Sequence, residues 1–183
     1  MLTAMPVPRD WLPIPNCYWV LKGNLLAGEY PASESEPLSA QRLSGFLEAG
    51  VRSFLDLTSP GELLPYEGLL ARLAADLGTS ARHLQFPILD RGTPSPSLMT
   101  SILDTIDAEL GAGRKVYVHC WGGVGRTGTV VGCYLVRHGA TGREALRQLS
   151  DWWQNVPKSA YHPRSPETDE QVDYILSWNN AHI

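Results

Sequence analysis

The stretch Lys115-Val-Tyr-Val-His-Cys-Trp-Gly-Gly-Val-Gly-Arg-Thr-Gly-Thr-Val-Val131 constrains this chain more than any other. It reads as a short apolar strand, a glycine-rich turn and then an apolar helix, the arrangement that presents backbone N–H groups and a helix N-terminus to a phosphate. Three chemistries compete for it: a dinucleotide fingerprint, a nucleoside-triphosphate loop, and a cysteine nucleophile set in an anion cradle.

The flanking sequence alternates strand and helix signals. Residues 17–28 read as two short strands around a Lys22-Gly23-Asn24 turn, Ser33 to Pro37 as a loop, and Ser39 to Ala49 as an amphipathic helix. Then come a strand over Val51 to Leu57, a helix over Tyr66 to Leu77, a strand over Ala81 to Phe86, and a helix over Ser97 to Leu110 with Ser95 as N-cap and Pro96 in its first turn. After the strand Val116 to His119, helices are expected at Gly125 to His138, Thr141 to Trp153 and Thr168 to Trp178. The expected fold is α/β: a central, mostly parallel sheet flanked by helices in three layers, with a helical C-terminal part. The His119 strand is placed at the centre, because KVYV looks buried and GTVVGCYLV is apolar nearly all round. Ligands of such sheets sit beyond the carboxyl ends of the strands, where His119 to Arg126 falls.

With 183 residues and 43% apolar content, the chain has the size of one domain. Residues 1–183 are read as a single domain in which residues 1–16 form an irregular arm. No secretory leader and no apolar run long enough to span a membrane is seen, so the expected location is cytoplasmic. Cys17, Cys120 and Cys133 are an odd number without C-x-x-C spacing, which points to neither a disulfide framework nor a metal site. A net charge of −4 without a basic block gives no footprint for nucleic acid or an anionic membrane.

The dinucleotide reading satisfies G-x-G-x-x-G at Gly123, Gly125 and Gly128, but it needs a second strand ending in an acidic residue about 20 residues on. The chain instead enters TGREALRQLSDWW, which has helical spacing, and Glu144 stands in the wrong element. The triphosphate loop fails because Thr129 occupies the place of its lysine. The third reading uses every unusual residue: five residues separate Cys120 from Arg126 in His-Cys-x5-Arg-Thr. Such a loop curls its N–H groups around one phosphoryl group above a thiolate, and environments of this kind bring a cysteine pKa from about 8.5 to roughly 3.5–7.5. Arg126 adds a planar fork for two equatorial oxygens.

At His119-Cys120-Trp121-Gly122-Gly123-Val124-Gly125-Arg126-Thr127-Gly128 the sequence resembles the cysteine-based protein tyrosine phosphatases, in their small dual-specificity branch. The resemblance implies a metal-independent phosphomonoesterase without cofactor, acting on a phosphorylated protein or peptide through a phosphocysteine. Cys120 is then the nucleophile; Trp121, Gly122, Gly123, Val124, Gly125 and Arg126 hold the phosphoryl group. The general acid is expected from an upstream loop, and Phe86-Pro-Ile-Leu-Asp90-Arg-Gly-Thr-Pro-Ser95 resembles that loop, with Asp90 thirty residues before Cys120. Asp56 is a weaker candidate, and Asp104 and Asp107 are read as solvated helix residues. His119 is implied to stabilise the loop by hydrogen bonding, and the Thr127 hydroxyl to assist departure of the thiolate. Gln171 either orients the hydrolytic water or serves only a Thr168-x-x-Gln171 capping box. Trp121 packs or lines the mouth, Trp152 and Trp153 are read as core, and Cys133 as an inert buried thiol about 12 Å along its helix from Gly125. Cys17 is left without a role.

Two other classes remain beside this reading. One is a phosphotyrosine-binding module that keeps the cradle without turnover, against which Cys120, Arg126 and Asp90 all speak. The other is a phosphatase of a non-protein substrate such as a phosphoinositide, which the absence of lysine between Trp121 and Gly125 disfavours. A rhodanese-type sulfur transferase is disfavoured by the arginine fork, and arsenate reduction by the cysteine count.

Overall fold

The structure is a computed structural model that describes residues 11–179. Five strands form one sheet: β1 (Cys17–Leu21), β2 (Leu25–Gly28), β3 (Val51–Asp56), β4 (Arg82–Gln85) and β5 (Lys115–His119), in the order β1-β2-β5-β3-β4. Among the described residues only the β1–β2 pair is antiparallel, as its turn at Lys22-Gly23-Asn24 requires; Gly23 takes φ +79° there. The remaining pairs are parallel, and β5 lies at the centre as its apolar run predicts.

Side chains alternate along β5 and so divide the core. Val116 and Val118 face one side, packed with Met99, Ile102, Val130 and Cys133, while Tyr117 faces the other among Leu43, Phe46, Phe54 and Tyr66. The Tyr117 face is covered by α1 (Glu36–Glu48) and α2 (Glu67–Asp76). The opposite face carries α3 (Pro96–Gly111), α4 (Gly125–Arg137), α5 (Gly142–Trp153) and α6 (Asp169–Ser177). Helix α4 is enclosed because α3, α5 and α6 all pack on it. At Gly132 even a Cβ would overlap the Ile175 side chain, so the small residue sets the approach of α4 and α6. Trp153 is core as expected, and Trp152 lies at the edge of the same cluster, against Tyr18.

Several boundaries differ from the sequence reading. Helix α1 starts at Glu36 rather than Ser39, because Ser35 caps it by accepting from Leu38 N–H and Pro37 is compatible with a first turn. A short 3-10 turn at Pro157–Ala160 follows α5 and was not foreseen. Asp104 and Asp107 are not merely solvated: both pair with Arg137, and Asp107 also pairs with His138, fastening α3 to α4. Of the expected N-terminal arm, residues 11–16 form no helix or strand, although Ile14 is buried; residues 1–10 lie outside the described residues. Among the described residues, no helix is long and apolar enough to cross a membrane.

The register fixes where loops emerge. Gly28, His119 and Asp56 are aligned across β2, β5 and β3, and Gln85 of β4 is aligned with Asp56. The segments that follow these four residues therefore leave one edge of the sheet together.

Near the start of the strands, Glu109 accepts hydrogen bonds from Ser53, Arg82 and Arg114, the last at 2.6 and 3.0 Å. Its carboxyl is drawn from 4.5 to about 2, chiefly by Arg114. A depressed acid contributes stability that is fully present above its unfolded value and lost as pH falls through the folded one. Glu109→Gln is therefore expected to cost about 1–3 kcal/mol in urea denaturation at pH 7, with the deficit shrinking as pH falls from about 4.5 toward 2.

Candidate active site

The segment after β5 turns sharply at Gly123, which has φ +74°. A Cβ there would lie 2.5 Å from the Gly28 carbonyl carbon and 2.6 Å from the Glu29 nitrogen, so only glycine fits against the end of β2. The loop carbonyls are anchored from outside. Trp121 O accepts from Tyr30 N–H at 2.9 Å, Gly122 O from Lys158 Nζ at 3.0 Å, and Val124 O from the Ser165 hydroxyl at 2.7 Å. Cys120 O lies 3.3 Å from His119 Nδ1. A trans peptide points its N–H opposite to its C=O. These anchors therefore turn the N–H groups of Trp121, Gly122, Gly123 and Gly125 toward the inside of the loop, where α4 adds the positive end of its dipole.

Inside lies a cavity of about 350 Å³, lined by Cys120, Trp121, Gly122, Val124, Gly125 and Arg126 from the loop. Asp90, Arg91, Lys158, His162 and Glu167 complete its wall. Cys120 is only 3% exposed, while Trp121 stands at the mouth with 60% exposure.

The Arg126 side chain is buried, and its direction is imposed by Glu62, a residue the sequence reading missed. Arg126 Nη1 and Nη2 donate to the two Glu62 oxygens at 2.9 and 2.6 Å, and Nη1 also donates to Ile88 O at 3.1 Å. Burial works against the guanidinium charge, but Glu62, Cys120 and Asp90 outweigh it and the pKa rises. The Glu62 carboxyl is correspondingly lowered, most strongly by its hydrogen bond from Arg126. This end-on pairing leaves the other edge of the fork, Nε and the second Nη2 proton, for an anion. Asp90 Oδ1 currently occupies part of that edge, 3.0 Å from Nη2.

Asp90 itself projects from a turn closed by Gly92 N–H on Leu89 O, in which Arg91 takes φ +59°. The turn is tied to the start of α6: Arg91 pairs with Glu167 at 2.8 Å, Thr93 bonds Glu170, and Gln171 Nε2 donates to Gly92 O at 3.0 Å. Gln171 does not line the cavity. It is buried behind Gly125, its Oε1 accepts from the N–H groups of Glu167 and Thr168, and the capping box with Thr168 is fully formed.

Beneath the loop, His119 is enclosed between Tyr66, whose hydroxyl is 2.7 Å from Nε2, and Asp56, 3.9 Å from Nδ1. Burial lowers its pKa to about 4 despite Asp56, so the ring is neutral at pH 7. With Nδ1 carrying the proton it donates to Cys120 O and accepts from Tyr66. Asp56, the weaker acid candidate, is buried away from the cavity and committed to Thr58 and His83. Thr127 is fully buried in the first turn of α4, its hydroxyl directed at Gly28 O at 3.4 Å. Cys133 and Cys17 are buried thiols outside the cavity, raised by burial, Cys17 to about 12. Among the described residues, no cluster of three or more His, Cys, Asp or Glu is placed to hold a metal ion.

Lys158 also escaped the sequence reading, since nothing local marks it, as did the bond from Ser165 to the loop; Glu62 had a faint signal, an acidic residue in the segment leaving the strand beside β5. Gly123→Ala is expected to weaken tungstate binding, measured by calorimetry, by at least about 100-fold, because the new methyl group must displace the backbone of the loop or of Gly28.

Residues 14–175 match the family model of the Swiss Army Knife protein DSP-PTPase phosphatase domain, PTP-SAK. The dual specificity protein phosphatase CDC14B of Mus musculus is 41% identical over 68 residues, 37% of this chain and 13% of that protein. CDC14AB of Danio rerio is 33% identical over 127 residues, 66% of this chain and 19% of that protein. The chain thus spans less than a fifth of the length of these two relatives. Among solved structures, kinase associated phosphatase superposes with a TM-score of 0.66 at 21% identity, covering 94% of both chains, which shows a shared fold. The chain belongs to the cysteine-based protein tyrosine phosphatase superfamily, as a PTP-SAK domain of the dual-specificity type.

Proposed function

We propose that this domain is a metal-independent phosphatase of phosphorylated proteins or peptides that works through a phosphocysteine. The observation that carries this reading is the convergence, in one cavity, of the Cys120 sulfur, the Arg126 fork aimed by Glu62, and the Asp90 carboxyl. Cys120 attacks phosphorus in line with the departing oxygen. Arg126 and the inward N–H groups hold the three equatorial oxygens. Asp90, displaced from Arg126 by the phosphoryl group, takes up a proton from solvent and passes it to the departing oxygen as the bond from phosphorus to that oxygen breaks. Water then attacks the phosphocysteine with Asp90 as base, and the Thr127 hydroxyl, directed at Gly28 O in the structure, would turn to the sulfur to assist departure of the thiolate.

Roles for the surrounding residues follow from their contacts. Neutral His119 holds Cys120 O from beneath the loop. Gln171 holds the acid-bearing turn through Gly92 O, a task for which its amide is already committed. Trp121 at the mouth offers an aromatic surface to an aryl phosphate, which favours phosphotyrosine among the phosphoresidues. The charges at the rim are largely compensated: Lys158 by Glu29 and Arg91 by Glu167. That balance favours one phosphoryl group on a polypeptide over a multiply phosphorylated inositol. The proposed location is cytoplasmic.

A steady-state assay with an aryl phosphate and phosphopeptides, in the presence of a chelator, tests this. Cys120→Ser is expected to abolish turnover, and Asp90→Ala to lower kcat by about 10²- to 10⁴-fold. Full activity of Cys120→Ser would end the covalent mechanism, and loss of wild-type activity to the chelator would contradict metal independence. Asp90→Asn, which removes a carboxylate from the Arg126 edge, is expected to bind tungstate about two- to fivefold more tightly than wild type by calorimetry.

A further inference from the structure

The loop carbonyls are not equally secured. Trp121 O is held by a backbone N–H and Val124 O by a buried serine. The peptide group between Gly122 and Gly123 is flanked by two glycines, and a peptide so flanked rotates with little steric cost. A Cβ on Gly122 would touch only the Val124 side chain, so packing leaves the Gly122 side of this peptide, which carries the carbonyl, unlocked, while its Gly123 side rests on Gly28 and Glu29. Its carbonyl has one partner among the described residues, the Lys158 ammonium at 3.0 Å.

Lys158 is itself placed from several directions. It lies in the 3-10 turn at Pro157–Ala160, 36 residues from Gly122 in sequence, and its backbone N–H donates to Asn16 Oδ1 at 3.2 Å. Asn16 Nδ2 donates to Glu29 Oε2 at 3.1 Å, and the same oxygen accepts from Lys158 Nζ at 2.6 Å. Glu29 follows Gly28, the residue against which Gly123 packs. A closed circuit of Asn16, Glu29, Lys158 and Gly122 therefore joins the N-terminal segment, the end of β2, the 3-10 turn and the loop.

We propose that Lys158 is a positioning residue for phosphate binding: by holding Gly122 O outward it keeps the Gly123 N–H aimed at the phosphoryl group. Rotation of that peptide would replace a donor by a carbonyl oxygen, which repels the equatorial oxygens. Lys158 thus acts through the backbone, with its charge balanced by Glu29, rather than as a direct ligand of substrate. The proposal rests on the phosphatase reading.

The test compares Lys158→Met, which keeps side-chain length without a donor, with Lys158→Arg, which keeps a charged donor. Tungstate affinity, kcat/KM for an aryl phosphate and the melting temperature are measured for each. Lys158→Met is expected to lose about 10- to 100-fold in both tungstate affinity and kcat/KM, and Lys158→Arg to recover most of both. Should the Met variant not fold, Lys158→Gln, whose shorter amide falls short of Gly122 O, takes its place with the same expectation. A variant without the donor that binds tungstate as wild type does would overturn the proposal. So would a loss of affinity that tracks the melting temperature and is not restored by arginine, since that assigns Lys158 to the fold alone. A wild type that binds tungstate but hydrolyses no phosphoester would contradict the phosphatase reading while leaving the binding measurement to decide the role of Lys158.

Discussion

A guanidinium taken out of water depends on its partners, and here the partner decides the geometry. Arg126 is 2% exposed and meets Glu62 end-on through both terminal nitrogens. That pairing offsets the cost of burying the charge and also rotates the fork so that its second edge opens on Cys120's cavity. The rest of the site depends on it. Asp90 reaches over the same edge and the loop N–H groups point toward the same space, so that on the proposed reading an arriving phosphoryl group meets an array that is already oriented. Such preorganisation is where most of the stabilisation of a charged transition state originates, because little has to move when charge develops.

The sheet makes this possible by register rather than by proximity in sequence. Glu62 and Arg126 are 64 residues apart, yet they follow β3 and β5, which pair in parallel with Asp56 opposite His119. Asp90 follows β4, the next strand out, and Glu29 follows β2 on the other side. Four strand ends in line thus deliver the arginine's partner, Asp90 as the proposed acid, the cysteine loop and the acidic anchor of Lys158 to one edge. Helix α6, packed on α4, and the segment just before it then fix the turn that carries Asp90 through Arg91, Thr93 and Gly92.

What the sequence revealed and what it concealed follow from the range of the interactions. The Cys120 to Arg126 interval, the Ser95 cap and the all-round apolar helix after Gly125 are local patterns, and each is legible because a few neighbouring residues determine it. The central place of β5 followed from its unbroken apolar run. Glu62, Tyr66, Lys158 and Ser165 act across long separations through irregular loops, which carry no periodicity to read. Helix α1 began early because Ser35 and Pro37, typical of loops, are equally typical of a helix start. Asp104 and Asp107 gained partners only when α3 met α4. Gln171 illustrates the intermediate case: its capping box is local and legible, whereas its bond to Gly92 depends on the tertiary fold.

The covalent intermediate is the central claim, and trapping it tests the account most directly. Wild-type protein mixed with an aryl phosphate, quenched rapidly in denaturant at alkaline pH and digested, is predicted to yield a phosphoryl group on the peptide containing Cys120, attached to its sulfur. Its appearance should keep pace with release of the aryl alcohol in the first turnover. Aryl alcohol released in that turnover with no phosphoryl group on Cys120 at any quench time would contradict the account, and would place the attack on phosphorus with water instead of the thiolate.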